Sequence, residues 1–421
     1  MPYNSKVSVH LLFLAPMLGL ATGVQGAFLD DSKGSLDLRN FYMNRDFRQS
    51  NATQAKAEEW GQGFQLRFES GFTPGALGFG VDAIGLLGIK LDSSPDRVGT
   101  GLLKLDKDAP RRAQDEYGEL AVTAKVRLAG STLKVGTLQP ILPPLMRNDS
   151  RLLPQTFRGA WLTSNDVDNL TLDVARLDRV NQRDSSDDER LTVFTAGQRN
   201  IVLGRATTSD EFLFAGGKYQ WSPELAGSYY YGALDGIYKQ HLLNVVHQRA
   251  LGTGQSFKSD IRLARSVDDG GSNIDNDAIG ALFTYRTGAH AISAGYQYLT
   301  GETGFAFVNG ADNALLNQVQ INDFGNKDEH SWQVRYDYDF VAWGIPGLTL
   351  MTRYLSGDNV DRGTGQDDGK TWERNTDIGY VIQSGPLRNL AIRWRNATTR
   401  SNFLSDLDEN RLFFTYSLPL W

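Results

Sequence analysis

Residues 390–421 read LAIRWRNATTRSNFLSDLDENRLFFTYSLPLW, and the first part of this stretch alternates apolar and polar side chains. In a pleated strand, Ile392 and Trp394 would lie on one face, with Arg393 and Arg395 on the other. A strand surrounded by water has no need of such an apolar face. The pattern therefore indicates a strand with lipid on one side and a polar space on the other.

The last segment of the chain repeats this alternation. Phe414, Tyr416 and Leu418 share one face, whereas Arg411 lies on the opposite face. A barrel in lipid needs apolar residues outside, polar residues toward a wet lumen, and a final strand that pairs with the first. The predicted fold is therefore all-β, a single transmembrane β-barrel of antiparallel strands whose lumen carries arginines.

The same alternation recurs along the rest of the chain, between short turn signals. Leu38 and Arg39, for example, fall on opposite faces of one such segment. At about 10 residues per spanning strand, residues 27–421 accommodate roughly 16 to 18 strands, which leaves an aqueous lumen unless loops fill it. Stretches rich in Asp, Ser and Gly, at 181–190 and 357–370, are predicted external loops.

Residues 1–26 are typical of a secretory signal peptide. Lys6 gives a basic start, an apolar run follows, and cleavage would fall before Ala27. A membrane-spanning helix is the alternative, but Pro16 interrupts the apolar run. We therefore expect an exported chain whose barrel comprises residues 27–421.

Composition argues against several classes of function. The chain has no cysteine, which excludes a disulfide framework and thiolate metal sites. Its 43 Lys and Arg against 49 Asp and Glu give a net charge of −6, which argues against nucleic acid as a partner. The histidines lack metal-ligand spacing, and no G-x-S-x-G motif is present. We therefore expect no enzyme, no bound metal and no cofactor.

Two long segments do not fit the strand pattern. Residues 139–156 contain four prolines among apolar side chains, too apolar for an exposed loop and too rich in proline for a strand. Residues 304–324 mix large apolar residues with Asp and Asn. We expect both segments to fold inward and narrow the lumen, since long ordered loops are usually functional. Capping the barrel from outside is the alternative.

Several motifs resemble the OprD-type, substrate-specific porins of the Occ family: LRNFYMNRDF (38–47), GFGVDA (78–83), SRLLPQTFRG (150–159), SWQVRYDYDF (331–340), GIPGLTLMTRY (344–354) and QSGPLRNLAIRWR (383–395). The resemblance covers essentially the whole exported chain, and it is stronger to the OccK-type branch. It implies a monomeric barrel of 18 strands in the outer membrane of a Gram-negative bacterium, narrowed by the third and seventh loops. It also implies contact with outer-membrane lipid and insertion by the outer-membrane assembly machinery.

The resemblance further implies a row of lumen arginines that guides carboxylate-bearing solutes. Side-chain parity by itself places five arginines of the first and last two strands on the lumen face. The motifs add one arginine of the third loop and two acids of the seventh loop, which would face the row across the constriction. The predicted substrate-binding residues are Arg39, Arg45, Arg151, Asp312, Asp323, Arg393, Arg395 and Arg411.

The predicted function is passive uptake of small carboxylate solutes, of a cyclic or aromatic kind. Phe157, Phe194 and Phe305 are candidates either for a surface that stacks on such rings or for ordinary packing. A general diffusion or sugar porin is the nearer alternative, with aromatic stacking in place of arginine contacts at the narrowest ring. An outer-membrane hydrolase, with a Ser/His/Asp cluster at the barrel rim, is the remote one. The arginines could also pair with lumen carboxylates and only stiffen the wall.

Overall fold

The computed structural model describes residues 25–49, 52–109, 111–204 and 207–421. The predicted signal peptide lies outside this part of the chain except for its last two residues, which begin the short helix α1, Gln25–Asp30. Within the described ranges, no helix is long and apolar enough to cross a membrane.

Eighteen long strands make up nearly all of the regular structure. In chain order they are β1 Lys33–Phe47, β2 Lys56–Glu69, β3 Leu77–Asp92, β4 Glu116–Leu128, β5 Ser131–Leu138, β6 Thr156–Val167, β7 Leu170–Asn181, β8 Phe212–Ser222, β9 Leu225–Leu234, β10 Tyr238–Gly252, β11 Gln255–Asp268, β12 Asp275–Thr287, β13 His290–Gly301, β14 His330–Asp339, β15 Leu348–Val360, β16 Gly369–Val381, β17 Ala391–Ser401 and β18 Leu407–Pro419. The remaining elements are the two-residue strands Ile141–Leu142, Leu145–Met146 and Asp188–Glu189 and the 3₁₀ turn Phe340–Trp343.

Each long strand pairs antiparallel with the next, and β1 also pairs with β18. The closing register sets Leu38 opposite Tyr416 and Arg39 opposite Thr415. Closure gives every strand two neighbours, which satisfies the backbone hydrogen-bonding groups that lipid cannot satisfy. The predicted barrel is confirmed, with 18 strands.

The two faces of the wall differ as the alternation predicts. Outward positions carry exposed large apolar side chains, such as Leu120, Val122 and Trp394. Near the ends of the strands joined by short turns, Trp221 and Trp343 are also exposed, as in the aromatic girdles of membrane barrels. These residues form the lipid-facing surface.

Turns of two to nine residues join the strands at one end of the barrel, and the other end carries the long loops, of which residues 182–211 and 302–329 are the longest. The turn between β6 and β7 contains only Asp168 and Asn169, and Asn169 adopts a φ of 62°. Such a left-handed residue, for which Asn is favoured over most others, allows the chain to reverse at once. In membrane barrels, the short turns face the periplasm and the long loops face outward.

The third loop, residues 139–155, folds into the barrel. Leu152 is fully buried and lies against the inner face of β2 at Gly61 and Gly63. A Cβ atom at Gly63 would lie 2.8 Å from the Leu152 carbonyl oxygen, so this close approach requires glycine. The prediction of inward folding is confirmed for this loop.

The seventh loop, residues 302–329, crosses the lumen from the opposite side. Its Phe305 is buried, and its Asp312 backbone forms a β-bridge with Met146 of the third loop. Farther along, Asn322 donates hydrogen bonds to Glu373 on β16. The two loops therefore meet inside the barrel, and inward folding is confirmed here too.

Candidate functional site

Two large cavities occupy the lumen on either side of the meeting loops. The outer cavity, of about 690 Å³, opens among the long loops, and the inner cavity, of about 1180 Å³, opens among the short turns. Both cavities are lined by Ser150 of the third loop, Gln318 and Val319 of the seventh, and Arg395 of β17. These four residues mark the narrowing through which a solute passes between the cavities.

At the narrowing, two arginines of β17 share one carboxylate of β16. Arg393 binds Asp377 with three hydrogen bonds of 2.5 to 2.9 Å. The Arg395 Nε atom lies 3.1 Å from the same carboxylate but at an angle unsuited to hydrogen bonding, and it has no hydrogen-bond partner among the described residues. One carboxylate thus faces two cations, which leaves an excess positive charge beside the pathway.

A second cluster lies on β1 and β18, on the side of the outer cavity. The Glu409 carboxylate, which is 0% exposed, accepts from Arg45 Nε at 2.7 Å and from Arg411 Nε at 2.5 Å. Arg411 also donates to the carbonyl oxygen of Gln320, at 2.9 Å, and thereby holds the seventh loop against the wall. Again two guanidinium groups share one acid.

Arg39 joins the first strand to the third loop. Its Nη1 atom donates to the Asp149 carboxylate at 2.8 Å and to the Arg151 carbonyl oxygen at 2.6 Å. Arg39 lines the inner cavity, as Arg393 and Arg395 do. The structure therefore brings the five arginines predicted from strand parity to one side of the lumen, divided between the two cavities.

Arg151 and Arg183 form no ion pair with any of the described carboxylates. Each donates from Nη1 to the hydroxyl oxygen of Ser150, at 3.1 Å and 3.2 Å. Among the described residues, no carboxylate lies within 4 Å of either guanidinium group. Burial, together with repulsion from Arg411, lowers the pKa of both arginines, and the nearby carboxylate of Asp184 opposes this shift at Arg183. Both guanidinium groups stay charged at neutral pH. An anion at this position would offset the cost of burying two cations.

The sequence analysis missed Arg183, because it predicted residues 181–190 as a solvated external loop. That prediction was wrong for the start of the stretch: Arg183 turns inward and lines the outer cavity, whereas Asp188, Glu189 and Arg190 remain exposed. The polar composition of the stretch is the same in either position. Only the contact of Arg183 with Ser150, in a loop distant along the chain, distinguishes an inward from an external position. No local sequence pattern indicates this contact.

The two predicted acids of the seventh loop differ in their surroundings. Asp312 lines the outer cavity with Arg151 and Arg183, and its nearest side-chain donor is Gln318, at 3.4 Å. Burial raises the pKa of Asp312 to about 6, and the two arginines oppose that shift only in part. Asp323 instead forms an ion pair with the buried Arg199 of the fourth loop.

We expect the charge selectivity of the channel to depend on pH through Asp312. As pH falls through about 6, Asp312 takes up a proton and the outer cavity gains one positive charge. The permeability of chloride relative to potassium should rise about two- to threefold between pH 7.5 and pH 5. Reversal potentials in planar bilayers with a KCl gradient measure this ratio.

Asp312→Asn provides the control for this prediction. Glu329 also lines the outer cavity, and burial raises its pKa to about 7, so a smaller step near pH 7 should persist in the variant. A selectivity step near pH 6 that is the same in Asp312→Asn and in the unmodified protein would contradict the assignment.

A closed membrane barrel with a charged, loop-narrowed lumen defines the class of the protein, a pore-forming channel of the outer membrane. The chain belongs to the OprD family: the family model described as "outer membrane porin, OprD family" matches residues 26–420. The resemblance found in the sequence motifs is thus confirmed. The protein is a specific channel for small solutes in the Gram-negative outer membrane, and not an enzyme.

Relatives with full-length similarity come from Pseudomonas. The porin-like protein GalP of Pseudomonas putida is 40% identical over 413 residues, which cover 96% of this chain and 95% of GalP. The crystal structure of Pseudomonas aeruginosa OpdQ is 58% identical, with a TM-score of 0.88, covering 94% of this chain and all of OpdQ. That of P. aeruginosa OpdK with vanillate, a protein also named OccK1, is 39% identical with a TM-score of 0.85 and the same coverage.

Proposed function

We propose that this channel takes up small carboxylate solutes passively, along its lumen arginines. The observation that carries the proposal is the convergence of Arg151 and Arg183 on Ser150, at the entrance to the narrowing, with no carboxylate of the described residues within 4 Å of either guanidinium group. An anion that enters a narrow pore loses hydration, and guanidinium groups replace the lost water with paired hydrogen bonds. A carboxylate has the planar geometry that such pairs match.

The distribution of charge supports passage in addition to capture. Beyond Arg151 and Arg183, a solute next meets Arg395 and Arg393, whose single acid partner is Asp377. Several partly neutralised sites in sequence allow release as well as binding, which conduction requires. Asp312 lies opposite the first of these sites and reduces the excess charge there, which favours release. We assign to this pathway all eight residues that the sequence predicted to bind substrate. Asp323 belongs to it indirectly, because it forms an ion pair with Arg199.

We infer that the solutes are cyclic or aromatic carboxylates. The related OpdK was crystallised with vanillate, which is an aromatic carboxylate. In this chain the aromatic candidates from the sequence do not offer a stacking surface: Phe157 and Phe305 are buried, and the guanidinium group of Arg199 lies 4.7 Å from the ring centroid of Phe194. These three residues therefore serve packing, and neither an aromatic carboxylate nor a sugar stacks on them.

Biogenesis and assembly follow from the same proposal. Residues 1–26 are removed as a signal peptide, in agreement with a family match that begins at residue 26. The assembly machinery of the outer membrane inserts the barrel, whose apolar outer face contacts lipid. One chain closes its own barrel and encloses its own narrowing, so a monomer is sufficient for transport.

Uptake into liposomes tests the proposed substrate class. Labelled benzoate should enter proteoliposomes saturably, whereas lysine and glucose should enter more slowly and without saturation. Arg183→Gln should lower benzoate uptake at low concentration by about three- to tenfold, because one charge-assisted contact is lost. Arg190→Gln is the matched control, since Arg190 follows on the same loop but is exposed and paired with Asp210.

Equal uptake of benzoate, lysine and glucose would contradict carboxylate specificity and favour a general diffusion porin. An equal loss in both arginine variants would show that the effect comes from the net charge of the fourth loop and not from the site at Ser150.

A further inference from the structure

A small apolar cavity, which we call the side cavity, lies beside the narrowing and away from the arginines of β17 and β18. It is enclosed by the hairpin of the third loop, the seventh loop and the wall strands β10 to β13. Its volume is about 140 Å³. The apolar side chains that line it include Leu142, Met146, Leu242, Ala278, Leu315 and Leu316.

The size and lining of the side cavity suit one six-membered ring. An apolar cavity of about 150 Å³ lined by aliphatic and aromatic residues takes up a benzene molecule. Polar groups in the lining are few: Asn244, Gln297 and Arg262. The Gln297 side chain donates to the Phe324 carbonyl oxygen and accepts from the Asn317 N–H, both in the seventh loop. Asn244 and Arg262 both donate to Asp260. The lining therefore matches an apolar ring in shape and makes van der Waals contact with it. It has few free polar groups that would hold water.

A cationic bay adjoins the side cavity. The bay has a volume of about 610 Å³ and is lined by Lys258, Arg262, Arg286, Arg335 and Arg353, with Asp337 as its one acidic residue. Lys258 and Arg286 have no carboxylate within 4 Å among the described residues. Arg353 donates only to the side-chain oxygen of Asn375, at 3.1 and 3.0 Å. The bay therefore has an uncompensated positive charge on the wall formed by β10 to β15.

The two spaces are continuous with each other. Arg262, Leu315 and Leu316 line both the side cavity and the bay. The bay in turn shares Arg286, Arg335 and Arg353 with the inner cavity. A solute in the inner cavity can thus enter the bay without passing the narrowing again.

We propose that the side cavity and the bay together form a second binding site, for a carboxylate that carries one apolar ring. The ring lies between Leu242, Ala278 and Leu316, and the carboxylate lies at Arg262, the cation that lines both spaces. The positive charge of Lys258 and Arg353, farther inside the bay, attracts the carboxylate toward this opening. The site deepens the proposed function and rests on it, since it identifies a ring as the feature by which the channel retains one carboxylate over another.

The position of the second site explains why it increases selectivity without closing the pore. The bay opens to the side of the inner cavity, so a bound ring leaves the path along Arg393 and Arg395 open. Both narrowing loops also contribute to the side cavity, through Met146 and Leu316. A bound ring therefore packs the two loops against the wall and stabilises the narrowing.

Single-channel recording in planar bilayers tests the second site, with acetate and benzoate as probes. We expect benzoate to cause partial blocks of the current, because a bound anion cancels positive charge in the bay while the main path stays open. These partial blocks should last roughly tenfold longer than any caused by acetate, because only benzoate buries a ring. Ala278→Leu fills the side cavity and should shorten benzoate blocks to the acetate level. Lys258→Gln should shorten them as well, through the carboxylate.

Two further variants make the test decisive. Ala264→Leu also fills the side cavity, and it replaces Ala278→Leu if that variant does not insert. Ala281→Leu is the matched control, because Ala281 pairs with the outward-facing Ile261 on the lipid side of the same strand as Ala278. Benzoate blocks of unchanged length in a cavity-filled variant with normal conductance would overturn the proposal.

Failure of this site is distinguishable from failure of the proposed function. If the channel is not specific for carboxylates, benzoate uptake into proteoliposomes is not saturable even in the unmodified protein. If only the proposal of the second site is wrong, benzoate uptake remains saturable and is still lowered by Arg183→Gln. It is then unchanged by Ala278→Leu or Ala264→Leu.

Discussion

Replacement of both Arg393 and Arg395 by alanine is expected to reduce benzoate uptake to the rate of a neutral solute of similar size. Arg395 lines both lumen cavities at the narrowing, and Arg393 lies two residues away on the same face of β17. Each guanidinium group offers a carboxylate charge-assisted hydrogen bonds, which contribute about 1.5–3 kcal/mol each. The loss of both should lower uptake by at least about tenfold.

Two controls separate the loss of arginine contacts from other effects of the double variant. The double variant leaves Asp377 without its partners, and a bare acid would itself repel carboxylates. The triple variant with Asp377→Asn removes that repulsion and should still lack saturable benzoate uptake. Arg374→Ala with Arg388→Ala removes two exposed arginines from the neighbouring β16 and the short turn that follows it, and should leave uptake unchanged.

Uptake that recovers fully in the triple variant would assign the loss to Asp377. Carboxylate uptake unaffected by any of these changes would make the β17 arginines part of the wall structure only. Liposome uptake of benzoate and glucose, with protein content matched by quantitative gel, measures all of these outcomes.

Glu409→Gln is expected to cause the largest loss of stability, about 3–5 kcal/mol in the free energy of unfolding. Glu409 is 0% exposed and binds Arg45 and Arg411, of which Arg411 is 1% exposed. Without the charge of Glu409, the buried guanidinium group of Arg411 and the partly buried one of Arg45 lie close together with no acid between them. Unfolding by urea in lipid vesicles, followed by tryptophan fluorescence, measures the change.

A double-mutant cycle gives this prediction its control. Arg411→Met alone should also destabilise the barrel. Glu409→Gln combined with Arg411→Met should cost less than the two changes added together, because only one of the two cations that Glu409 binds, Arg45, then remains without its partner. The ion pair between the exposed Arg176 of β7 and the partly exposed Glu211 at the end of the fourth loop, 2.7 Å apart, should contribute about 0–1 kcal/mol in the same experiment. Strictly additive losses at Glu409 and Arg411 would contradict direct coupling.

Much of the wall could be predicted from the order of the residues. In a strand, the side chains alternate strictly between two faces, so each apolar run decided which residues meet lipid. The same rule correctly placed Arg39, Arg45, Arg393, Arg395 and Arg411 on the lumen face. The closure of the sheet into a barrel could be predicted as well, because unpaired backbone groups at a strand edge are too costly in lipid. The proline-rich third loop carried its own signal, since its apolar residues had no place in water.

The site depended on contacts that no local pattern encodes. Arg183 is one polar residue among many in residues 181–190, and only its approach to Ser150 of another loop makes it part of the pathway. Asp323 matches an acidic motif position, yet Arg199, more than a hundred residues earlier, neutralises it. A sequence pattern records the neighbours of a residue along the chain, whereas an ion pair depends on neighbours in space.

The sequence by itself therefore determined the barrel, the orientation of its wall residues and the family. The tertiary structure decided where the lumen narrows, which arginines keep an uncompensated charge, and where an apolar ring fits. The physical reason is that a period of two residues fixes a face in every strand independently. Loop positions instead result from long-range packing, such as that of Leu152 on Gly61 and Gly63, which exists only once the barrel has closed.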